Sequence, residues 1–453
     1  MISETSFPRT FELIRMKFSR TNEISPDMDG KEVRIGGWLQ DSRNLGGIVF
    51  GILRDRYGTV QITIRKKDKP ELAEVIAETP RESVLSVTGK IARSDKTPRG
   101  LEILPSEIKV ESVAQSPLPL GVVDRVSAEL DTRLNNRYID LRKSETARIF
   151  EIKSEVLFAI RSYLRSTGFI EVQTPKIGAA GAEGGATLFK VDYFGREAYL
   201  AQSPQLYKQN LMAAGFDRVF EIGPAFRAEA SDTVRHLAEF TSLDIEMSFI
   251  ESSEDVMDVA QGITFEAMRH LKERCKPLVE SYGLDIELPK LPFRRIPYPE
   301  AVELARSEGA KIRRGEDFGT EGEKALGSAV RKSYDEEFYF ITEFPTELKR
   351  STFYAMRKDD NPDITTYFDL DFRGQEIASG GQREHRLPKL IAQMEENNLN
   401  PAKFGFYIEA FKYGMPPHGG FGYGVERFIQ KLLDLPNIRE AILYPRDRLR
   451  LTP

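Results

Sequence analysis

Residues 115–121 read Gln-Ser-Pro-Leu-Pro-Leu-Gly. Each proline removes a backbone donor and fixes φ, so neither a helix nor a sheet interior runs through this stretch. Before it, apolar residues alternate with polar ones, the period of half-buried strands. After it, Ile149, Ile152, Val156, Leu157, Ile160 and Leu164 recur at helical spacing, and Gly168 ends the run. The pattern predicts a first domain over 1–114 that includes a short N-terminal arm, a linker over 115–131, and a second domain over 132–453. A chain of 453 residues, 40% of them hydrophobic, is long enough to bury a core in each. The net charge of −5 excludes a generally basic nucleic-acid coat but allows a local basic patch. A single cysteine, Cys275, leaves no disulfide framework and suits a reducing compartment. No apolar run approaches the ~18 residues of a membrane span. Glu4, Arg9 and Glu12 break any signal-peptide layout, so a cytoplasmic location without membrane attachment is expected.

Between 31 and about 114 the chain reads as three strands, a short helix and two strands. Val33 and Ile35 alternate with charged residues, 48–53 is mostly apolar, and Val60, Ile62 and Ile64 alternate again after the Tyr57-Gly58 turn. A helix is expected over 71–77, with strands over 84–91 and 101–110. That order suggests a five-stranded Greek-key barrel of the OB type. Its second and third strands would present Phe50, Arg54 and Gln61, with Arg65, Lys66 and Lys67 at the strand end. An aromatic platform beside cations is what a single-stranded nucleic acid requires. A core role for Phe50 and a solvated strand end fit the same pattern.

The second domain reads as α+β, with no internal repeat. It has no GxxxxGK[ST] word, so a P-loop is excluded. Three words stand in order along it. Residues 168–175 (Gly-Phe-Ile-Glu-Val-Gln-Thr-Pro) follow the long amphipathic helix. Phe226-Arg227-Ala228-Glu229 comes next, with His236 nearby, and Gly422-Tyr423-Gly424-Val425-Glu426-Arg427 opens a final helix. Alone, each word suits a surface ion pair or an ordinary strand-to-helix turn. In this order they resemble motifs 1, 2 and 3 of the class II aminoacyl-tRNA synthetases. With an OB barrel in front, the resemblance is to the subclass of aspartyl, asparaginyl and lysyl enzymes, and it covers nearly the whole chain beyond the N-terminal arm. The fold class it implies is α+β: an N-terminal OB-fold barrel, then a catalytic domain built on an antiparallel sheet flanked by helices.

Residues 202–208 (Gln-Ser-Pro-Gln-Leu-Tyr-Lys) and 380–383 (Gly-Gly-Gln-Arg) match the aspartyl pattern. The resemblance implies that Lys208 and Arg383 grip the side-chain carboxylate of aspartate, since two buried cations want an anion between them and an amide would leave them uncompensated. Glu183, on a glycine-rich loop that would act as a lid, and Asp244 would hold the ammonium; Gln205 and Ser379 complete the substrate pocket. The family often has Thr where this chain has Ala182. Arg227 would meet the α-phosphate of ATP and the attacking carboxylate. Glu229 would accept from the adenine amino group, and Phe240 and Arg427 would sandwich the purine. Arg235, His236 and Arg427 would meet the outer phosphates, with Leu237, Gly424, Val425 and Glu426 lining the same ATP site. Asp369, Glu376 and Ser379 would bind Mg²⁺. Arg227, Glu376 and Arg427 are thus the expected catalytic residues. No general base is required, because the substrate carboxylate is already a nucleophile. Motif 1 implies a homodimer.

The barrel would read the tRNA anticodon, with Phe50 stacked on the middle uridine and Gln61 bonded to its edge. The aspartate and asparagine anticodons differ at their third base. In archaeal-type relatives restricted to the aspartate tRNA, a Trp near the Gln40 position and a Lys near the Pro98 position accompany strictness. Pro98 points to an enzyme that also charges the asparagine tRNA, although Gln40 matches neither the strict Trp nor the relaxed His. The absence of a large insertion between motifs 2 and 3 favours the archaeal and eukaryotic layout. The rival readings are an asparaginyl enzyme, a catalytically silent tRNA-binding paralogue and a free amide-forming synthetase.

Overall fold

The computed structural model describes residues 18–123, 128–179, 188–228 and 233–453. It divides into two compact units between Ser144 and Glu145.

In the first unit, strands β1 (Glu32–Leu45), β2 (Ile48–Asp55), β3 (Gly58–Arg65), β4 (Val84–Arg93) and β5 (Leu101–Ser112) close into a barrel ordered β1-β2-β3-β5-β4. The alternation seen in the sequence sets the inside. Val33, Ile35, Val49, Leu53, Val60, Ile62 and Ile64 point inward, and Ala73 and Ile76 of the helix Pro70–Glu78 join the same core. Register slips between Leu39 and Asp41 on β1, which leaves Gln40 as the extra residue of a β-bulge.

Arg54 departs from expectation. It does not present its charge to a nucleic-acid face. It is 6% exposed and makes a double contact with Glu82, Nη1 to Oε1 at 2.8 Å and Nη2 to Oε2 at 2.7 Å. Arg142 donates to the same Glu82 at 3.0 Å, and both guanidiniums lie over Trp38. The reason is electrostatic: Glu82 is itself buried, so it draws the nearest cations to it.

The second unit is built on an eight-stranded sheet. Its strands are β6 (Ile170–Glu171), β10 (Arg218–Phe226), β11 (Glu239–Ser248), β12 (Arg294–Pro297), β13 (Phe338–Thr342), β14 (Tyr367–Phe372), β15 (Glu376–Arg383) and β16 (His418–Gly424). They run in the order β12-β13-β14-β15-β16-β11-β10-β6. The strands from β13 through β10 pair antiparallel, and only the two edge strands are parallel to their neighbours. A small sheet of β7 (Ile177–Gly178), β8 (Lys190–Tyr193) and β9 (Arg196–Leu200) lies apart from it in the pairing. Leu243, Ile245 and Met247 of β11 join a core shared with the helices Ser144–Ser166, Ser253–Arg274 and Val425–Leu432. The alternate residues Ser242 and Asp244 therefore face the other side, where the cleft lies. No described helix is long and apolar enough to cross a membrane.

Arg54→Ala should destabilise the barrel by about 3 kcal/mol, the low end for breaking a buried ion pair, because Arg142 still neutralises Glu82. Chemical denaturation of the purified protein checks this. An unchanged barrel transition with weaker nucleic-acid binding would return Arg54 to the binding face.

Candidate active site

A cleft of about 330 Å³ lies on the open face of the large sheet. It collects Gln205 from the helix Gln205–Ala213, Arg227 from the end of β10, Phe240 and Asp244 from β11, Glu376, Ser379 and Arg383 from β15, and Arg427 from the helix Val425–Leu432. Residues from words some two hundred positions apart thus share one wall. Glu183 and Glu229 lie outside the described residues.

One end is a closed ionic lattice. Lys208 Nζ donates to Asp244 Oδ1 at 3.1 Å and to the carbonyls of Ile245 and Phe421 at 3.1 and 3.2 Å. Arg383 donates through Nε to Glu246 Oε1 at 3.1 Å, through Nη1 to Tyr367 at 2.9 Å and through Nη2 to the Gly420 carbonyl at 2.8 Å. Glu246 is 0% exposed, and its Oε2 lies 3.3 Å from Lys208 Nζ. That contact is an ion pair out of line for a hydrogen bond, so Oε2 is left without a donor. The expectation of two cations uncompensated until a ligand arrives is corrected here: a resident carboxylate lies between them. Burial alone would raise the Glu246 pKa, but Arg383 and then Lys208 outweigh it and hold it below the usual carboxylate range. Asp244 also accepts from Ser242 at 2.6 Å. Sequence reasoning missed Glu246; its only signal is its place two residues after Asp244 on the same strand face.

Behind the lattice runs a second polar layer. Arg383 Nη2 reaches Gln205 Oε1 at 3.4 Å, Gln205 donates to Gln209 Oε1 at 2.9 Å, and Gln209 Nε2 meets His418 Nε2 at 2.9 Å. His418 Nδ1 lies 2.8 Å from the Pro416 carbonyl. These partners assign a neutral imidazole that donates from Nδ1 and accepts at Nε2. Burial pushes its pKa down to about 4.

The other end is less tightly tied. Arg227 lies over the Phe240 ring, 5.2 Å from its centroid. Arg427 Nη1 donates to Glu376 Oε1 at 3.1 Å. Arg227 thus covers the Phe240 ring, the face expected to meet the purine, while Arg427, expected on the purine's other side, is held by Glu376. Arg235 is held by Glu323 and, at 3.0 Å, by Thr320, both on the helix Gly319–Tyr334. His236 Nδ1 meets Thr233 at 2.7 Å. Leu237 and Gly424 line the cleft, whereas Val425 is fully buried. Glu426 has both oxygens engaged, by Lys153 at 2.6 Å and by the Thr241 amide at 3.0 Å. These contacts anchor the turn, and Glu426 still lines the cleft.

The metal-site candidates are adjacent. Ser379 donates to Asp369 Oδ1 at 2.5 Å, and Lys349 spans both Asp369 oxygens at 2.9 and 2.7 Å. Lys349 is a cleft residue that no sequence word marked. Burial, with Glu376 adding to it, raises the Asp369 pKa against the opposing pull of Lys349. Asp371 is pushed well above the carboxylate range by burial, then by Glu323, Asp369 and Glu376. Negative charge is thus crowded here, and hard oxygen donors that repel one another fit a divalent cation.

On the barrel, a separate groove of about 870 Å³ is lined by Phe50, Ile52, Gln61 and Arg43 among others. Gln40, Arg54 and Pro98 are not among its lining residues. The Gln61 amide nitrogen donates to Thr63 at 3.1 Å and to Glu102 at 3.0 Å. A carboxylate accepts only, so the Gln61 carbonyl is the group left to offer outward. Arg43 sits opposite Phe50 in the β1–β2 register and is the arginine that lines the groove beside it, where Arg54 does not. Counting back across the hairpin would have found it.

Because folded His418 stays neutral while the unfolded imidazole protonates near pH 6.5, its stability contribution is present above that pH. It is lost as pH falls toward about 4. Between pH 7 and pH 5 the loss should be on the order of 2 kcal/mol. His418→Gln should flatten that slope in denaturation midpoints; an unchanged slope would show that His418 is not its source.

Known proteins match both units. Residues 129–448 match the family described as tRNA synthetases class II (D, K and N), and residues 33–111 match the OB-fold nucleic acid binding domain. The aspartate–tRNA(Asp) ligase of Thermococcus kodakarensis is 48% identical over 96% of this chain and 99% of its own. The aspartate–tRNA(Asp/Asn) ligase of Methanopyrus kandleri is 50% identical over 97% and 100%. Among solved structures, the asparaginyl-tRNA synthetase from Pyrococcus horikoshii complexed with asparaginyl-adenylate superposes with a TM-score of 0.89. It is 31% identical and covers 97% of this chain and 100% of that one. Sequence words, sheet topology and relatives agree: the chain belongs to the class II tRNA synthetases of the D, K and N group, with an OB-fold anticodon-binding domain in front.

Proposed function

We propose that this protein is an aspartate–tRNA ligase, which activates L-aspartate with ATP to aspartyl-adenylate and passes the aspartyl group to the 3′ end of tRNA. The observation that carries the choice of amino acid is the Lys208–Glu246–Arg383 lattice at one end of the cleft. Lysine and arginine donate and never accept. Arg383 lines the cleft and offers an Nη1 N–H to a side chain there, while Lys208 turns one of its three protons from Asp244 or a carbonyl toward the same ligand. A carboxylate satisfies those donors, whereas the NH₂ of asparagine would face them unpaired, a mismatch that rejects ligands strongly. This weighs against the asparaginyl reading.

At the other end the substrate supplies its own nucleophile. The α-carboxylate oxygen of aspartate attacks the α-phosphorus as the bond to pyrophosphate breaks. Arg227 at the α-phosphate, with Arg235, His236 and Arg427 toward the outer phosphates, stabilises the charge that gathers there. Asp369, Glu376 and Ser379 are the residues that would hold Mg²⁺, which when bound supplies further neutralisation of phosphate charge. Asp244 takes the ammonium, and Phe240 takes the adenine once Arg227 moves off its ring to the phosphate. In the second step a phosphate oxygen of the adenylate accepts the proton of the tRNA 3′-hydroxyl.

In the barrel groove, Phe50 stacks on an anticodon base, and the Gln61 carbonyl accepts from a base N–H, as a uridine would offer. Pro98 is exposed and brings no cation. Gln40, set on its bulge, has its carbonyl 3.4 Å from Arg54. We carry this forward as charging of both the aspartate and the asparagine tRNA. Exposed Phe158, Ile170 and Ile177 of the motif 1 region would be covered in a homodimer, and a cytoplasmic location fits these partners.

Lys208→Ala should raise the KM for aspartate at least about a hundredfold with far less change for ATP; equal losses for both would contradict the assigned roles. Charging of aspartate and asparagine tRNA transcripts side by side should show aspartate on both, and Gln61→Ala should depress charging while sparing adenylate formation. Aspartate on the first transcript alone would make the enzyme discriminating.

A further inference from the structure

Away from the cleft, three side chains with no part in the proposed chemistry converge. Glu155 lies on the helix Ser144–Ser166, His270 on the helix Ser253–Arg274, and Cys275 is the C-cap residue of that second helix. His270 Nε2 is 2.8 Å from Glu155 Oε2, Cys275 Sγ is 3.4 Å from the same oxygen, and all three ligand atoms lie within 4.8 Å of one another. Among the described residues this is the one such group. Cys275 and His270 form a floor that is 9% and 17% exposed, and Glu155, at 41%, forms the rim. The Phe158 ring packs 5.5 Å from the imidazole and limits its rotation.

We propose that Glu155, His270 and Cys275 form a binding site for a thiophilic divalent transition ion of the Zn²⁺ class, which ties the two helices together. A tetrahedral ion with bonds of about 2.0–2.3 Å needs ligand atoms about 3.3–3.6 Å apart. Side-chain movements of about 1 Å bring these three to that spacing, and water completes the fourth position. One thiolate and one carboxylate balance a dication. Soft sulfur with imidazole selects against Mg²⁺, so this site is chemically distinct from the oxygen-lined one in the cleft. Without an ion the thiol stays protonated, its pKa pushed up to about 12 by burial and then by the hydrogen bond to Glu155. As the sulfur–metal bond forms, the thiol proton leaves to solvent, and the Nε2 proton that His270 donates to Glu155 passes through solvent to Nδ1, which frees the Nε2 lone pair for the ion. The site rests on geometry alone and stands or falls independently of the amino acid activated.

The test is a titration of the reduced, chelator-stripped full-length protein with Co²⁺ in excess Mg²⁺. One equivalent should give a thiolate-to-cobalt charge-transfer band that Zn²⁺ abolishes, and Zn²⁺ should raise the thermal midpoint. Outer partners of a metal site alone are worth 10–100-fold, so Cys275→Ser and His270→Gln should each cost at least about tenfold in Zn²⁺ affinity, with the Cys275→Ser protein losing the band. A wild-type protein with no band, or a band that survives Cys275→Ser, would overturn the site. If either variant fails to fold, the wild-type titration still decides.

Discussion

Glu246 is the group on which the catalytic unit turns. Removing a carboxylate from water costs several kcal/mol even after relaxation, and a cation left alone there costs as much. Glu246, Lys208 and Arg383 are all essentially out of solvent, so none is stable in place without the others. The sheet is shaped around them. A Cβ on Gly420 would fall 2.0 Å from the Ile245 carbonyl and 2.4 Å from Glu246 Oε2, so only glycine leaves room for the carboxylate. The same Gly420 offers its carbonyl to Arg383. Strand pairing, glycine placement and ion pairing are one arrangement here.

That arrangement explains a difference between the two ends of the cleft. The amino-acid end is pre-set, with donors fixed by a buried counter-charge and a neutral histidine layer behind it. The phosphate end is held by contacts a ligand can exchange: Arg227 rests on an aromatic face, and Arg427 and Glu376 remain 25% and 36% exposed. Selectivity belongs on rigid groups, because a donor that can rotate away discriminates little. Groups that meet a highly charged, flexible polyphosphate gain from being able to move onto it.

Much of this was legible in the chain. The barrel followed from alternation at Val33, Ile35, Val60, Ile62 and Ile64, and the long helix from apolar spacing up to Leu164. Arg227, Arg383 and Arg427 were named from words that the fold brings to one cleft, and Phe240 and Ser379, in the same cleft, from the resemblance those words carry. What escaped were pairings between distant residues. Nothing near Arg54 announces that Glu82 and Arg142 will fold against it. Nothing near Asp369 announces Lys349, and Glu246 looks like any polar strand residue until Lys208 and Arg383 arrive on either side. Residue type and local period speak to elements; which charges end up buried together depends on register and on packing across the sheet.

The most direct measurement is ATP–pyrophosphate exchange by the wild-type protein, driven by aspartate or by asparagine at equal concentration. Lys208 and Arg383, held in place by Glu246, predict exchange with aspartate at least about a thousandfold faster. Exchange driven equally well by asparagine, or better, would contradict it.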